Sequence, residues 1–180
     1  MTDRRTVLRN SGAVAFGATA LGATMSADPA QAQPPLQPPS SDAPEGNRFE
    51  AQQRAEIAGV LKRYERSLNA SDVAGVVRLY TDDAVMLAPG APSAVGIDAI
   101  RTAYTGTFQA IDYDLRFEVA EVNVVSGDWA FLRTTSHGTV RILANGAQAP
   151  RSNHELFVLQ KSHGRWRLAR YSFSSALPSA

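Results

Sequence analysis

Three turn signals limit the fold of this chain more than any other feature. Gly127-Asp128, Asn145-Gly146 and His163-Gly164 each follow a run of residues suited to a β-strand. The strands around them are expected near Leu115–Val125, Trp129–Arg141, Ser152–Lys161 and Arg165–Ser175. Asn-Gly between two such runs is a strong hairpin signal. Gly at the first position of Gly127-Asp128 suits a type II′ turn, because Gly tolerates φ > 0. Hairpins joined in series make a sheet of long antiparallel strands.

Ahead of the strands the apolar spacing is helical. Ile57, Val60, Leu61, Tyr64 and Leu68 form one stripe and predict a helix from about Phe49 to Leu68. Ser71 is placed to cap a second helix ending near Asp82-Asp83, with Val73, Val76, Val77 and Tyr80 on its apolar side. A short strand, Ala84–Leu87, stops at Ala88-Pro89-Gly90, and a third helix after Gly96 carries Ile97, Ile100, Tyr104 and Phe108 on one face. Helices first and strands later indicate an α+β fold. Three N-terminal helices laid on a curved antiparallel sheet would make a cone around an apolar pocket.

Residues 1–32 read as an export signal rather than as part of the domain. Arg4-Arg5 with Val7-Leu8-Arg9 forms a twin-arginine start, an apolar run follows to Leu21, and Ala30-Gln31-Ala32 offers a cleavage site. Residues 33–47, rich in Pro and Ser, are expected to be a disordered tether, leaving 48–177 as the domain. The expected location is periplasmic or secreted. Of 18 basic and 17 acidic residues, three Arg and two Asp fall in the leader, so the remainder balances at 15 of each. That balance supplies no general field for nucleic acid or, once the signal is removed, for a membrane. No Cys is present, which excludes disulfides, thiolate chemistry and Cys-based metal sites. No phosphate loop, nucleophile elbow or dinucleotide fingerprint occurs, so no cofactor is expected.

Hairpin arithmetic nominates chemistry. Two-residue turns at all three signals put Glu118 opposite His137, His137 opposite His154, and Phe173 opposite His154, in one row across a sheet face. Residues directly opposite have Cβ atoms about 4.5–5.5 Å apart. On the concave side Glu118 would orient His137, and a histidine is well poised to move protons near neutral pH. A single bulge breaks this register, and Pro150, with no N–H to donate, is a place for one. Arg133 should face the same way as Thr135 and His137, where it needs Glu118, Glu121 or a ligand as counter-charge. Tyr104, Leu156, Val158, Tyr171 and Phe173 are the candidate pocket lining. The His spacing is not a metal motif, and no metal is expected.

The helical segment, Asp82-Asp83-Ala84, the run GRWRLARYSF from Gly164 to Phe173 and the order of elements together resemble the nuclear transport factor 2-like superfamily. The nearest branches are its SnoaL-like and ketosteroid-isomerase-like bacterial members, and the likeness spans Arg48 to Leu177. The resemblance implies a conical cavity for a small apolar molecule and a homodimer joined through the outer sheet face. Across KRYERSLNASD it places Tyr64 where the isomerases have a tyrosine that steadies a developing enolate oxygen. Their proton-shuttling carboxylate precedes a proline at the end of the first strand. Here that position is Ala88, before Pro89, so steroid isomerisation by that route is not expected.

The superfamily includes isomerases, cyclases, dehydratases and non-catalytic proteins, so the site must decide. Three readings stand open. The first is a cofactor-free acid–base enzyme using Tyr64 with His137 or His154. The others are a binding protein holding a ligand in the same pit, and an association module whose sheet face matters most. Inward histidines would favour the first, an inward surface of Leu156, Val158, Tyr171 and Phe173 the second, and a filled pit the third.

Overall fold

The computed structural model describes residues 45–176. The expected export signal, nearly all of the tether and the last four residues lie outside the described residues. Helix α1 runs Glu45–Asn69, α2 Val73–Val77 and α3 Ile97–Ala110. The strands are β1 Tyr80–Leu87, β2 Ala94–Val95, β3 Ile111–Val124, β4 Trp129–Ile142, β5 Gln148–Ser162 and β6 Arg165–Ser175. They form one sheet in the order β2-β1-β6-β5-β4-β3. The fold is α+β, with two departures from the expected cone. β1 joins β6 in parallel, and α3 follows the first two strands, so the helices are not all N-terminal to the sheet.

Helix α2 is far shorter than its apolar pattern predicts. Its cap is Asp72, whose carboxylate accepts from Gly75 N at 2.9 Å, while Ser71 sits in a left-handed turn with φ 51°. The strand-forming Tyr80-Thr81 favours extended backbone and opens β1, and Asp82-Asp83 lies inside that strand rather than at a helix end. Gly75 is required where α2 meets α1. A Cβ there would stand 2.2 Å from an Asp72 oxygen and 2.5 Å from Ser67 Oγ.

Long helix α1 covers the inner sheet face and also guards its edge. β3 is an edge strand, which leaves a row of backbone groups open. Asn69 closes two of them, Nδ2 donating to Leu115 O at 2.8 Å and Oδ1 accepting from Leu115 N at 3.0 Å. Glu65 accepts from Phe117 N at 2.8 Å, and Arg54 donates to Val122 O. At the other end of the sheet Gln53 Oε1 accepts from both Lys161 Nζ and Trp166 Nε1, at 2.6 and 2.9 Å. Between these anchors Ile57, Val60, Leu61, Tyr64 and Leu68 are buried against Leu132, Phe157, Leu159 and Leu168.

The turns differ from the expected set, and the differences decide register. Gly127 is not left-handed, so the type II′ turn is not formed. Asn145-Gly146 sits in a wider loop closed between Ile142 and Ala147, with Gly146 at φ 72°. His163-Gly164, at φ 50° and 73°, makes the tight two-residue turn, with Ser162 opposite Arg165. Bulges fall between Val119 and Glu121 in β3 and at Ala169 in β6, not at Pro150, which pairs in register with Thr139.

Candidate functional site

The sheet presents two faces with different chemistry, and the bulges determine which residue belongs to which. His137 lies opposite Ser152 and Arg116, and His154 opposite Thr135 and Ser174, so the expected row of Glu118, His137, His154 and Phe173 does not exist. The wide 142–147 connection moves the β4–β5 register by two residues, which changes partners without changing face. The Ala169 bulge moves β5–β6 by one, which does change face. Phe173 therefore pairs with Glu155 on the inner face, while His154 points outward.

His137, His154, Glu118, Arg133, Leu156 and Val158 all occupy the outer face. His137 Nε2 stands 3.8 Å from Glu118 Oε1 across a diagonal, with both side chains more than half exposed. Arg133 Nε meets Glu121 Oε2 at 3.3 Å, also in solvent. Leu156 is 45% exposed. None of the six lines the inner cavity, so the expectation that the histidines work beside Tyr64, and that Arg133, Leu156 and Val158 touch a ligand there, is corrected.

The inner face holds a small cavity of about 70 Å³. Tyr64, Tyr104, Tyr171 and Phe173 line it, together with Ala88 and Asn153. Tyr64 arrives from the apolar stripe of α1, Tyr104 from the buried face of α3, and Tyr171 and Phe173 from alternate positions of β6 after its bulge. Tyr64 meets Phe117, Phe157 and Tyr171 edge-on, with centroids 5.5–5.6 Å apart. Phe157 and Tyr171 stack at 4.3 Å, and Tyr171 and Phe173 at 5.3 Å. These contacts fix the ring positions to a few rotamers.

The phenol oxygens form a row. Tyr64 and Tyr104 hydroxyls are 2.8 Å apart, and Tyr104 and Tyr80 hydroxyls 2.9 Å apart. Burial raises the pKa of Tyr64, Tyr80, Tyr104 and Tyr171 above the ordinary phenol value. At Tyr104 the bonds from Tyr64 and Tyr80 oppose that rise. The phenols are therefore neutral donors at any physiological pH.

A second polar group lies behind the cavity. Asn153 Nδ2 donates to Ser136 Oγ at 3.1 Å, and the Ser136 hydroxyl in turn donates to the Glu155 carboxylate. Thr134 Oγ1 donates to the other Glu155 oxygen at 2.6 Å. Glu155 is 2% exposed, and that burial raises its pKa, against the opposing effect of Ser136, Thr134 and His154. Sequence reasoning missed this cluster. Leu156-Phe157-Val158-Leu159 is apolar throughout and so does not show which alternate set faces inward. Had Phe157 and Leu159 been assigned to the core, alternation would have carried Asn153 and Glu155 in with them.

Residues 61–169 match the SnoaL-like domain family. Among solved structures the chain is similar to a ketosteroid isomerase-like protein from Erwinia carotovora atroseptica, with 38% identity and TM-score 0.67. That likeness covers 69% of this chain and 96% of the other. A conserved protein from Planctomyces limnophilus is similar at 24% identity and TM-score 0.63, covering 69% and 98%. An NTF-2 like protein from Shewanella oneidensis shares the fold at 18% identity and TM-score 0.57, covering 68% and 98%. No match is found among the curated proteins.

Proposed function

The chain belongs to the SnoaL-like domain family, within the nuclear transport factor 2-like superfamily, and on that premise we propose that its inner cavity binds a small, mainly apolar molecule. The molecule carries one carbonyl or hydroxyl oxygen, which meets the row of phenols. That row supports the reading most directly. Tyr171 also hydrogen-bonds to Tyr64, so four hydroxyls linked by three bonds leave one hydroxyl hydrogen over. With Tyr80 donating to Tyr104, and Tyr104 and Tyr171 both donating to Tyr64, the free hydrogen falls on Tyr64 at the cavity wall. A ligand oxygen accepting it would take up that remaining hydrogen inside an aromatic enclosure.

The same lining argues for binding rather than turnover. Moving a proton between two carbons needs a base at the ligand, and the strand-end position is Ala88. Glu155 is held by two hydroxyl donors behind Asn153 and does not itself line the cavity. A cavity that takes up benzene measures about 150 Å³, roughly twice this one. Entry therefore requires the mouth to widen, and flexible Met86 with the partly exposed Phe173 can provide this. The protein acts after twin-arginine export, as a homodimer joined through the outer face, where Trp129 and Leu156 leave apolar area open at 37% and 45%.

Titration of the full chain with acetophenone and with ethylbenzene, which lacks the oxygen, tests the reading. Acetophenone should bind about tenfold more tightly, the worth of one buried hydrogen bond, and Tyr64→Phe should erase that preference. Equal affinities in the wild type would refute oxygen recognition. Proton exchange at the acetophenone methyl in D2O, followed by NMR, should match buffer alone. Acceleration by the protein would make it an enzyme instead.

A further inference from the structure

We infer that a second site, an arginine-rimmed groove separate from the phenol-lined cavity, binds a small anion bearing two or more linked phosphoryl groups. The groove encloses about 770 Å³, within the roughly 300–1,000 Å³ typical of small-ligand sites. Val60, Gly75, Leu79 and Trp166 make a buried floor. Arg63, Arg66, Arg78, Arg165 and Arg167 line it, against one carboxylate, Glu56.

The fold gathers these charges from three elements. On α1, Glu56, Val60, Arg63 and Ser67 follow at intervals of four, three and four, which is one helix face, with Arg66 beside it. Arg78 follows directly on α2. Arg165 and Arg167 alternate on β6 ahead of Leu168, where β1 begins to pair, so this part of β6 extends past the end of its neighbour.

The charges are also uncompensated. Among the described residues Arg63, Arg66, Arg78 and Arg165 form no ion pair, whereas Arg54, Arg133, Arg141 and Arg170 each have a carboxylate within 4.0 Å. Arg167 donates to Tyr80 O at 3.4 Å, a neutral partner. Glu56 is already engaged, lying 3.8 Å from Lys161 Nζ and accepting from Gln52 at 3.0 Å. The nearby Asp72 carboxylate is held as the α2 cap. The chain is +1 overall, so the excess is a local segregation and not a general basicity. Grouped guanidinium groups repel one another, and an anion with several oxygens relieves that repulsion. Their planar forks match phosphoryl oxygens in pairs. A confined concave groove suits a compact anion better than a polymer, which needs an extended track.

Inorganic tripolyphosphate is the probe, titrated into the full chain by calorimetry at low and at physiological ionic strength. Saturable one-to-one binding that weakens with salt is expected. Combining Arg63→Gln with Arg165→Gln should lower affinity about tenfold or more. Arg133→Gln and Arg141→Gln, on other surfaces, should leave it unchanged. Arg63→Lys keeps the charge without the fork and should fall between. If the double variant does not fold, Arg66→Gln alone should still weaken binding several-fold. Absence of saturable binding, equal loss in the control variants, or tighter binding of duplex DNA through the same arginines would each overturn the assignment. Acetophenone binding by the double variant should be unaltered, so failure here is distinct from failure of the cavity reading.

Discussion

At the scale of single residues, the buried carboxyl of Glu155 makes the sharpest claim about solution behaviour. Its folded pKa is raised above the unfolded value, with burial the dominant cause. The linkage sign follows directly. A carboxyl with a raised folded pKa favours the folded state below its unfolded pKa, and that contribution is lost as pH rises through the folded pKa. Glu155→Gln keeps an acceptor for Thr134 and Ser136 but cannot ionise. The melting temperature of Glu155→Gln minus that of wild type should therefore increase from about pH 4 to pH 7, beginning near the ordinary Glu value. Thermal melts across that range check it, and a difference that is flat or shrinks with pH would contradict the burial argument. The tyrosines beside it were legible because a helix stripe and strand alternation both point inward. Glu155 was hidden by its apolar neighbours on both faces.

Element by element, what could be read was the order of helices and strands and the strand spans, which periodicity carries over many residues. What could not be read was register, because it accumulates over every turn and bulge. The Asn145-Gly146 loop is wider than two residues, and the extra residue at Ala169 inverts one strand face relative to its neighbour. Neither leaves a compositional mark: Ala169 is an ordinary alanine between Leu168 and Arg170. Gly138 marks a different strain. It has φ 150°, and a Cβ there would lie 2.0 Å from Asp114 O in β3, so only glycine lets the two strands approach at this point. Gly138→Ala must separate β3 from β4 just where Leu115 faces the cavity. A loss of about 3 kcal/mol is expected from strain and disrupted pairing. Gly127→Ala, which meets nothing within 4 Å, should stay within about 0.5 kcal/mol. Urea titrations of both variants measure the contrast, and equal costs would show that the close approach is not what holds Gly138.

For the molecule as a whole, the inner face is closed by helices while the outer face is left to find its own cover. Phe131 pairs with Val158 and Arg133 with Leu156 there, placing an apolar strip between polar ones. Trp129 and Leu156 flank the Phe131–Val158 pair and add exposed apolar area, at 37% and 45%. β3 is a poor joining edge, because Asn69, Glu65 and Arg54 already occupy backbone groups of Leu115, Phe117 and Val122. The proposed homodimer therefore forms face to face, and a stable interface of that kind buries about 1,600 Å² in total. Leu156 lies beside Arg133 within this strip, so Leu156→Glu puts a carboxylate into each half of a two-fold contact. Sedimentation of the wild-type chain at micromolar concentration should give twice the 19.3 kDa chain mass, and the variant should give the single mass with an unchanged far-ultraviolet spectrum. The cavity and the arginine groove are built within one chain, so ligand affinities per chain should survive the separation. A wild type that sediments as a monomer, or a variant that stays paired, would move the contact elsewhere and leave the outer strip as ordinary surface.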